Sequence, residues 1–254
     1  MNKVNNRGAG ALRSLGAAKA FIDGRVRGDV QLAALYSGGK DSTYAISVAL
    51  QRAWDVTTLV SIVPADPDSM LYHVPNLHVV PLLAEAMGLP LVRARAEPGE
   101  AAELGALRSA LEGLHVDGVL VGAIESDYQV SRVNRVAHEL DLRAFAPLWR
   151  HDPRVLAGEY LRAGLRIVFS SVSAEGLDAS WLGRAWDEAA VQDLLRLHAA
   201  RGVHPCGEGG EFETLVLDAP FFRKRVRVDS ASRFWTGSSG VWRVEAASLV
   251  ERAG

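Results

Sequence analysis

The sequence SGGKDS at residues 37–42 restricts the possible folds of this chain more than any other segment does. It follows an apolar run at 31–36, typical of a buried parallel strand, and it precedes a helical segment at 43–53. The adjacent glycines Gly38 and Gly39 allow a tight turn and a close approach of the backbone to a ligand. Since the first amides of the next helix attract anions, this strand–loop–helix unit predicts a phosphate-binding site in an α/β fold.

The side chains of this loop suit phosphate recognition, with one exception. Ser37 and Ser42 supply hydroxyl donors, and Lys40 supplies a mobile cation that can follow a phosphate group. Asp41 would repel a phosphate, so its carboxylate is expected either to hold a Mg²⁺ ion or to order the loop. The alternative is an ordinary strand-to-helix turn with a serine cap. The spacing matches neither GxxxxGK[ST] nor GxGxxG, which excludes those two nucleotide-binding motifs.

Strands and helices alternate through the first part of the chain. Apolar runs predict strands at 57–63, 91–95 and 119–121. Between them, the residue pattern predicts helices at 79–87 and 104–114. This alternation is typical of an α/β fold, in which a parallel sheet carries helices on both faces.

The alternation changes near residue 147, which predicts a second, smaller α+β domain. Its predicted elements are strands at 166–172, 215–217 and 225–228 and a helix at 186–200. The predicted organisation is an N-terminal extension 1–30 with a short helix at 10–22, a parallel-sheet domain 31–146, a smaller domain 147–229, and a serine-rich tail 230–254 with a last strand at 241–244.

Composition and charge exclude several classes of protein. Cys206 is the only cysteine among 254 residues, so the chain has no internal disulfide and no metal site built from several of its own thiolates. The formal net charge of −2 gives no bulk attraction to nucleic acid, and no direct nucleic-acid partner is expected. Since no stretch resembles a membrane span or a secretory signal, a cytoplasmic location away from the membrane is expected.

The loop at 37–42 resembles the SGGxDS signature of the PP-loop ATP pyrophosphatase family. The resemblance implies the HUP-like, adenine nucleotide alpha hydrolase fold. It also implies cleavage of ATP between the α and β phosphates, transfer of AMP to a substrate oxygen and release of pyrophosphate. Further segments are similar to the diphthine–ammonia ligase branch of this family, namely 69–76, 122–129 with Arg132, 147–149, 182–184 and 206–216.

This branch implies a substrate, a reaction and partners. The acceptor would be diphthine, a modified histidine on translation elongation factor 2. The reaction would consume ATP and ammonium and give diphthamide, AMP and pyrophosphate, with ATP and Mg²⁺ as cofactors. No glutaminase domain is visible in the sequence, which fits the use of free ammonium. Two alternatives stay open: a PP-loop enzyme that adenylates another carboxylate or a tRNA base, and a non-catalytic sensor of adenine nucleotides.

The segment at 122–129 should lie at the carboxyl edge of the sheet, where open α/β sheets bind ligands. An alternative role for its polar side chains is helix capping by Ser126 or Asp127. The resemblance implies nucleotide contacts for this loop and makes Arg132, one helical turn later, a candidate phosphate partner. The candidate nucleotide-binding residues are therefore Ser37, Gly38, Gly39, Lys40, Asp41, Ser42, Gly122, Ser126, Tyr128, Gln129 and Arg132.

Three glutamates crowd into the segment 206–216. If 211–215 is extended, Glu211 and Glu213 point to the same side of the strand. Mutually repelling carboxylates indicate a bound cation such as Mg²⁺, ammonium or an arginine, and a solvated acidic turn is the alternative. We expect this segment to activate ammonia, and the candidate catalytic residues are Lys40, Asp41, Glu208, Glu211 and Glu213.

Cys206 has two interpretations. A lone thiol near a glycine turn can be a nucleophile, but such a residue is more often a small buried hydrophobic side chain. His73 and His204 lie beside the motifs, yet the seven histidines of the chain show no metal-binding spacing such as HExxH. A zinc site is therefore not expected.

Overall fold

The computed structural model describes residues 30–65 and 75–252. The predicted helix at 10–22 and most of the segment 69–76 lie outside these residues, so both remain predictions. Within the described ranges, no helix is long and apolar enough to cross a lipid bilayer.

The first part of the chain forms a parallel sheet of five strands in the order β3-β2-β1-β4-β5. The strands are β1 (Gln31–Leu35), β2 (Asp55–Pro64), β3 (Leu91–Ala96), β4 (Gly118–Leu120) and β5 (Arg143–Phe145). The helices are α1 (Lys40–Gln51), α2 (Val80–Met87), α3 (Glu100–Leu111) and α4 (Asp127–Glu139). This arrangement confirms the predicted α/β fold.

Burial on both faces explains the unbroken apolar sequence of β1. Leu32 and Ala34 pack into one hydrophobic core with α1 and α2, whereas Ala33 packs into a second core with α3 and α4. Because β1 lies between β2 and β4, the chain continues from β1 to β2 on one side and later returns to β4 on the other side. The loops that follow β1 and β4 therefore flank a crevice at the carboxyl edge of the sheet, which is where ligands bind in such folds.

The second part of the chain forms an antiparallel sheet of four strands in the order β7-β6-β9-β8. The strands are β6 (Arg166–Val172), β7 (Phe212–Asp218), β8 (Lys224–Trp235) and β9 (Gly240–Glu251), and the helices are α5 (Pro153–Arg162) and α6 (Glu188–Arg201). The predicted segments at 215–217 and 225–228 are thus the inner parts of longer strands. This sheet confirms the predicted second α+β architecture.

Residues 230–254 are not a tail with one short strand, and that expectation is corrected. Up to residue 252 they continue the antiparallel sheet through most of the β8–β9 hairpin, whose two strands have 12 residues each. Most of the second half of β8 is exposed, so its serines and charged residues lack the apolar alternation by which strands are recognised. An irregularity in register at Ser230 further disturbs the two-residue period.

The two sheets share one hydrophobic core. Leu32 and Ile46 of the parallel part belong to the same buried cluster as Tyr160, Phe169 and Phe212 of the antiparallel part. The rings of Phe169 and Phe212 pack edge-to-face, with 5.2 Å between their centroids. A continuous core holds the carboxyl edge of the parallel sheet against one end of the antiparallel sheet.

Candidate nucleotide and acceptor site

A cleft of about 920 Å³ lies between the two sheets. One wall, the PP-loop wall, comprises the loops 37–42 and 122–129. The other, the acidic wall, comprises residues 207–210 and Glu213. The predicted site residues that line the cleft are Ser37, Lys40, Asp41, Ser42, Gly122, Ser126, Tyr128, Gln129, Glu208 and Glu213. Further lining comes from Ser171–Ser173 at the end of β6 and from the turn of the β8–β9 hairpin.

The loop at 37–42 has the backbone geometry of an anion site. Gly38 has φ +83°, a left-handed conformation that glycine adopts without strain. Gly39 is the N-cap of α1 and provides no side-chain cap. The Lys40 amide is bonded to Thr214 Oγ1, and the amides that follow it in the first turn are left for a ligand. Ser37 Oγ accepts a hydrogen bond from the Gly39 amide at 3.3 Å and lies 3.2 Å from Ser42 Oγ. The predicted elements of a phosphate site are thus assembled.

Strand β7 of the second sheet supports this loop from behind. The Lys40 amide donates to Thr214 Oγ1 at 3.1 Å, and the Val216 amide donates to the Gly38 carbonyl at 2.9 Å. Thr214 is a residue of the candidate site that sequence reasoning missed. Its only signal in the sequence is a hydroxyl side chain inside the apolar strand FETLVLD.

Lys40 is held in place, which corrects the expectation of a mobile cation. Its side chain is buried, with only 4% of its surface exposed, and Nζ lies 2.8 Å from Asp41 Oδ2. Nζ also lies 5.4 Å from the ring centroid of Phe212 and 5.9 Å from those of Tyr160 and Trp186. Burial lowers the pKa of Lys40, but the nearby acidic groups, chiefly Asp41, outweigh it and raise the pKa, so the ammonium stays charged.

Asp41 is ordered by two donors. Lys40 donates to Oδ2, and the Tyr160 hydroxyl donates to Oδ1 at 2.5 Å. A carboxylate oxygen has further acceptor capacity, and the Asp41 side chain is partly exposed at the cleft. Among the described residues, no group of three or more acidic, histidine or cysteine side chains is arranged to hold a metal alone. Asp41 therefore fits the manner in which Mg²⁺ is usually held, by one or two carboxylates together with substrate phosphates.

Gly122 permits a close approach between the two loops of the PP-loop wall. A Cβ atom at this position would lie 2.6 Å from the Ser42 nitrogen and 2.7 Å from the Asp41 carbonyl carbon. Real Cβ atoms do not approach backbone that closely. The absence of a side chain at Gly122 thus lets β4 end directly against the start of α1.

The polar residues at the start of α4 fall into two groups: those that line the cleft, and Arg132, which does not. Ser126 is the N-cap of α4 and accepts from the Gln129 amide at 3.3 Å, so the helix-capping interpretation applies to it. Tyr128 and Gln129 line the cleft with it. Arg132 does not line the cleft. Its guanidinium stacks on the Tyr128 ring, with Cζ 3.3 Å from the centroid, and donates to Glu100 at 2.6 Å.

The structure separates the three glutamates that the sequence brings close. Glu208 and Glu213 line the cleft, whereas Glu211 does not. Strand β7 begins only at Phe212, and the Glu211 carboxylate turns back to accept from the His204 amide at 2.9 Å. The expectation that Glu211 and Glu213 share one side is therefore not met.

The two cleft-lining glutamates hold their protons more tightly than ordinary carboxyl groups. Burial raises the pKa of Glu213 to about 8, with the neighbouring carboxylates adding to the effect and Lys40 opposing it. Burial, followed by the charge of Asp41, also raises the pKa of Glu208. The acidic wall therefore favours either a bound proton or a bound cation, each of which compensates its negative charge.

His204 links the two walls. Its Nδ1 accepts from the amides of Cys206 at 3.1 Å and Glu208 at 3.2 Å, so the proton of the neutral ring is on Nε2. Nε2 lies 3.3 Å from Glu125 Oε2, and the Glu125 amide donates to Glu208 Oε2 at 3.3 Å. These contacts join the loop after β4 to the acidic wall.

Cys206 belongs to the core. Its thiol donates to the Pro153 carbonyl at 3.3 Å and lies 3.7 Å from the Tyr160 hydroxyl. Burial raises the pKa of the thiol to about 12, which leaves almost no thiolate at neutral pH. The environment supports the interpretation of a small buried residue over that of a nucleophile.

Comparisons with known proteins cover nearly all the described residues. Residues 30–144 match the family model described as diphthamide synthase N-terminal domain, and residues 152–250 match the diphthamide synthase C-terminal domain. The chain belongs to the diphthamide synthase family. The diphthamide synthase match places the loops 37–42 and 122–129 in the N-terminal family domain and the acidic wall in the C-terminal one.

Curated proteins similar to this chain share the name diphthine–ammonia ligase. A diphthine–ammonia ligase of Danio rerio is 38% identical over 223 residues, which cover 79% of this chain and 87% of the relative. The diphthine–ammonia ligases of Bos taurus and Homo sapiens are each 36% identical, over 226 and 225 residues, covering 80% of this chain and 84% of either relative. Proteins named diphthine–ammonia ligase thus match about four fifths of this diphthamide synthase family member.

Proposed function

We propose that this chain is a diphthine–ammonia ligase, an enzyme that forms a C–N bond. It amidates the diphthine carboxylate of translation elongation factor 2 with free ammonium and ATP, giving diphthamide, AMP and pyrophosphate. The observation that carries the proposal is one cleft in which an anion-binding loop faces glutamates of raised pKa. The family and the names of the relatives support it.

In the first step, the PP-loop wall binds ATP. The amides that follow Lys40 in the first turn of α1 and the Ser37 and Ser42 hydroxyls are placed to contact phosphate oxygens. Asp41, ordered by Lys40 and Tyr160, is the residue that would hold Mg²⁺. When bound there with the phosphates, Mg²⁺ would stabilise negative charge on the departing pyrophosphate.

Activation of the acceptor follows from elementary chemistry. A carboxylate is a poor electrophile because its negative charge repels nucleophiles and its leaving group would be oxide. Attack of a carboxylate oxygen on the α phosphate of ATP forms an acyl-adenylate and releases pyrophosphate. The fixed dipoles of the PP-loop wall lower the cost of the charge that develops on the phosphates.

In the second step, the acidic wall handles ammonia. Ammonium is the main species at neutral pH, and it must lose a proton before its nitrogen can attack the acyl carbon. Glu208 and Glu213 line the cleft and are placed to hold the cation and accept this proton. Glu213 accepts the proton in its ionised form, which the positive charge of a bound ammonium ion favours over the protonated form, and its raised pKa of about 8 makes that carboxylate a stronger base than an ordinary one. The nitrogen then displaces AMP and forms the amide.

Three finer assignments belong to the same proposal. The partner is the domain of elongation factor 2 that bears diphthine, and the compartment is the cytoplasm, where translation takes place. The boundary between the ATP-binding and the acceptor domain lies near residue 147, between the two matched family domains.

The test is an assay of AMP and pyrophosphate with ATP, Mg²⁺ and ammonium. Elongation factor 2 bearing diphthine is compared with the unmodified factor as the matched control. The proposal expects both products only with the diphthine-bearing factor, together with the mass change of a carboxylate converted to an amide. Tight binding of ATP without turnover of either factor would contradict it.

A further inference from the structure

Glycines flank Glu208, a residue of the acidic wall, on both sides. Gly207 precedes it, and Gly209 and Gly210 follow it. Gly207 has φ +73° and Gly210 has φ +79°, left-handed conformations that glycine adopts without strain. Glycine gives a backbone little stiffness of its own, because it can occupy more conformations than any other residue. The position of Glu208 in the cleft therefore depends on the bonds that this segment makes to other groups.

The ring of His204 bonds the backbone of Glu208. Its Nδ1 accepts from the Glu208 amide at 3.2 Å and from the Cys206 amide at 3.1 Å. The Gly207 amide donates to the His204 carbonyl at 3.0 Å, so the turn 204–208 closes around its own first residue. The Gly210 amide in turn donates to the Gly207 carbonyl at 3.1 Å. The histidine ring is thus the group that fixes the amide of Glu208.

His204 is itself held from outside the turn. Its amide donates to Glu211 Oε1 at 2.9 Å, and its Nε2 lies 3.3 Å from Glu125 Oε2. The His204 side chain is only 17% exposed, whereas that of Glu125 is 50% exposed. Since water screens a contact to an exposed charge, the Nε2 contact contributes little. The end of the ring that determines the shape of the turn is therefore Nδ1.

The Glu208 carboxylate is held from the PP-loop wall. Its Oε2 accepts from the Glu125 amide, in the loop after β4, at 3.3 Å. His204 thus fixes the main chain of Glu208, and the loop after β4 orients its side chain. A base must lie within hydrogen-bond reach of the proton that it accepts, and a displacement of about 1 Å can cost a hundredfold in rate.

We propose that His204 is a positioning residue, whose Nδ1 holds the turn that presents the Glu208 carboxylate to ammonium. His204 is not among the described residues that line the cleft, so it acts through Glu208 and not on a substrate. The inference rests on the proposed function for the role of Glu208. It adds the group that keeps this carboxylate within reach of the bound cation.

The first experiment measures the KM for ammonium in His204→Ala, His204→Asn and His204→Gln. Asparagine places its carbonyl oxygen near the position of Nδ1 and can accept both amides, whereas glutamine places its amide group near the position of Nε2. We expect a KM at least about tenfold higher in the alanine and glutamine variants, and within about threefold of wild type in the asparagine variant. ATP–pyrophosphate exchange without ammonium should stay near the wild-type rate in all three.

A double-mutant cycle with Glu208→Gln shows whether His204 acts through Glu208. In an enzyme that already carries Glu208→Gln, His204→Ala should raise the KM for ammonium little further. Additive effects of the two substitutions would show a purely structural role and overturn the proposal. Glutamine and asparagine variants with the same KM would overturn it too, as would an unchanged KM in His204→Ala.

A measurement without turnover separates this inference from the proposed function. Carbon-13 NMR follows the titration of the Glu208 carboxyl group, whose signal is assigned by its loss in Glu208→Gln. Burial and the charge of Asp41 raise the pKa of Glu208 in wild type. His204→Ala and His204→Gln should return this pKa towards its ordinary value, and His204→Asn should keep it raised. An unchanged titration in all three variants overturns the proposal. If the titration changes as expected but wild type forms no amide, the positioning role stands and the proposed function fails.

Discussion

The two walls of the cleft differ in how their charges are compensated. On the PP-loop wall, Lys40 and Asp41 neutralise each other, and the ligand is met by amides and hydroxyls. On the acidic wall, Glu208 and Glu213 have raised pKa values because burial and neighbouring carboxylates disfavour their charged forms. The first wall suits an anion and the second suits a cation or a proton. In the proposed function, phosphate chemistry accordingly belongs to the first wall and nitrogen chemistry to the second.

The walls are nevertheless mechanically dependent. Thr214 and Tyr160 come from the part of the chain that carries the acidic wall, yet they bond the backbone of Lys40 and the carboxylate of Asp41. The two walls therefore differ in their proposed chemical roles, and substitutions of residues that line the cleft should affect one role without the other. The two walls are not independent folding units. Substitutions of Thr214 or Tyr160 should therefore also affect the PP-loop wall, although neither residue belongs to that wall.

The largest effect is expected from Gly122→Ala. The new methyl group would collide with the backbone of Asp41 and Ser42, so the loop must shift and the first amides of α1 must turn away from the phosphates. We expect at least about a hundredfold loss in kcat/KM for pyrophosphate release, since small misplacements of binding groups are that costly. The control is Gly105→Ala in α3, where a methyl group meets nothing within 4 Å. A Gly122→Ala enzyme that binds ATP normally would contradict the close approach.

Glu213→Gln and Glu211→Gln should behave differently despite their proximity in sequence. Glu213 lines the cleft, so its substitution should lower the rate of amide formation by about a hundredfold, the usual scale for a general base. Glu211 bonds the His204 amide, so its substitution should cost about 1 kcal/mol of stability and leave amidation largely intact. The measurement is amide product by mass spectrometry with denaturation of each variant. Equal losses of amidation activity in the two variants would contradict the different roles of Glu213 and Glu211.

Tyr160→Phe tests how far the second sheet supports the PP-loop wall. The ring and its packing against Lys40 remain, and only the hydroxyl that donates to Asp41 is removed. A hydrogen bond to a charged group contributes about 1.5–3 kcal/mol, so we expect roughly a tenfold rise in the Mg²⁺ concentration needed for half-maximal activity. A change in thermal stability with unchanged Mg²⁺ dependence would show a purely structural role.

Stability should depend on pH through Glu213. Its pKa is raised in the folded state, so the folded protein binds the proton more tightly, and the resulting stability is lost as pH rises from about 4.5 towards about 8. The substitution Glu213→Gln removes this pH-dependent loss of stability, because glutamine does not titrate. Between pH 5 and pH 8 this difference in pKa amounts to about 3–4 kcal/mol. The thermal midpoint of the variant relative to wild type should therefore be on the order of 10 °C higher at pH 8 than at pH 5. Scanning calorimetry at both pH values measures it, and a pH-independent difference would contradict the burial of this carboxyl group.

The smallest effect is expected from Cys206→Ala. The thiol is buried with a pKa of about 12, so it should resist thiol reagents in the folded protein and take no part in either step. Activity should stay within about threefold of wild type, with a modest loss of stability from the small cavity. Rapid labelling of Cys206, accompanied by inactivation, would instead support the nucleophile.

The parallel sheet and its loop could be predicted because their signals are local. An apolar strand, two glycines and a helix stand next to one another in the sequence, and the structure keeps them so. Helix α5 also had local signals that were overlooked, since Asp152 caps it and Pro153 occupies its first turn. The β8–β9 hairpin had such signals only at 225–228 and 241–244, because the exposed second half of β8 carries no apolar alternation.

The contacts that complete the site could not be predicted because they are long-range. Thr214 lies 174 residues from Lys40 in sequence, and Tyr160 lies 119 residues from Asp41. Local reasoning also could not separate Glu211 from Glu213, since the answer depends on the residue at which β7 begins. The same limit applies to Arg132, whose guanidinium is bonded to Glu100, 32 residues earlier, and does not line the cleft.

The most direct test of the two-wall account is ATP–pyrophosphate exchange by Glu213→Gln with diphthine-bearing elongation factor 2 and no ammonium. Exchange reports formation and reversal of the acyl-adenylate, which the account assigns to the PP-loop wall alone. We predict exchange close to the wild-type rate, together with strongly reduced amide formation once ammonium is added. Loss of exchange in this variant, or amide formation at the wild-type rate, would contradict the division of the reaction between the two walls.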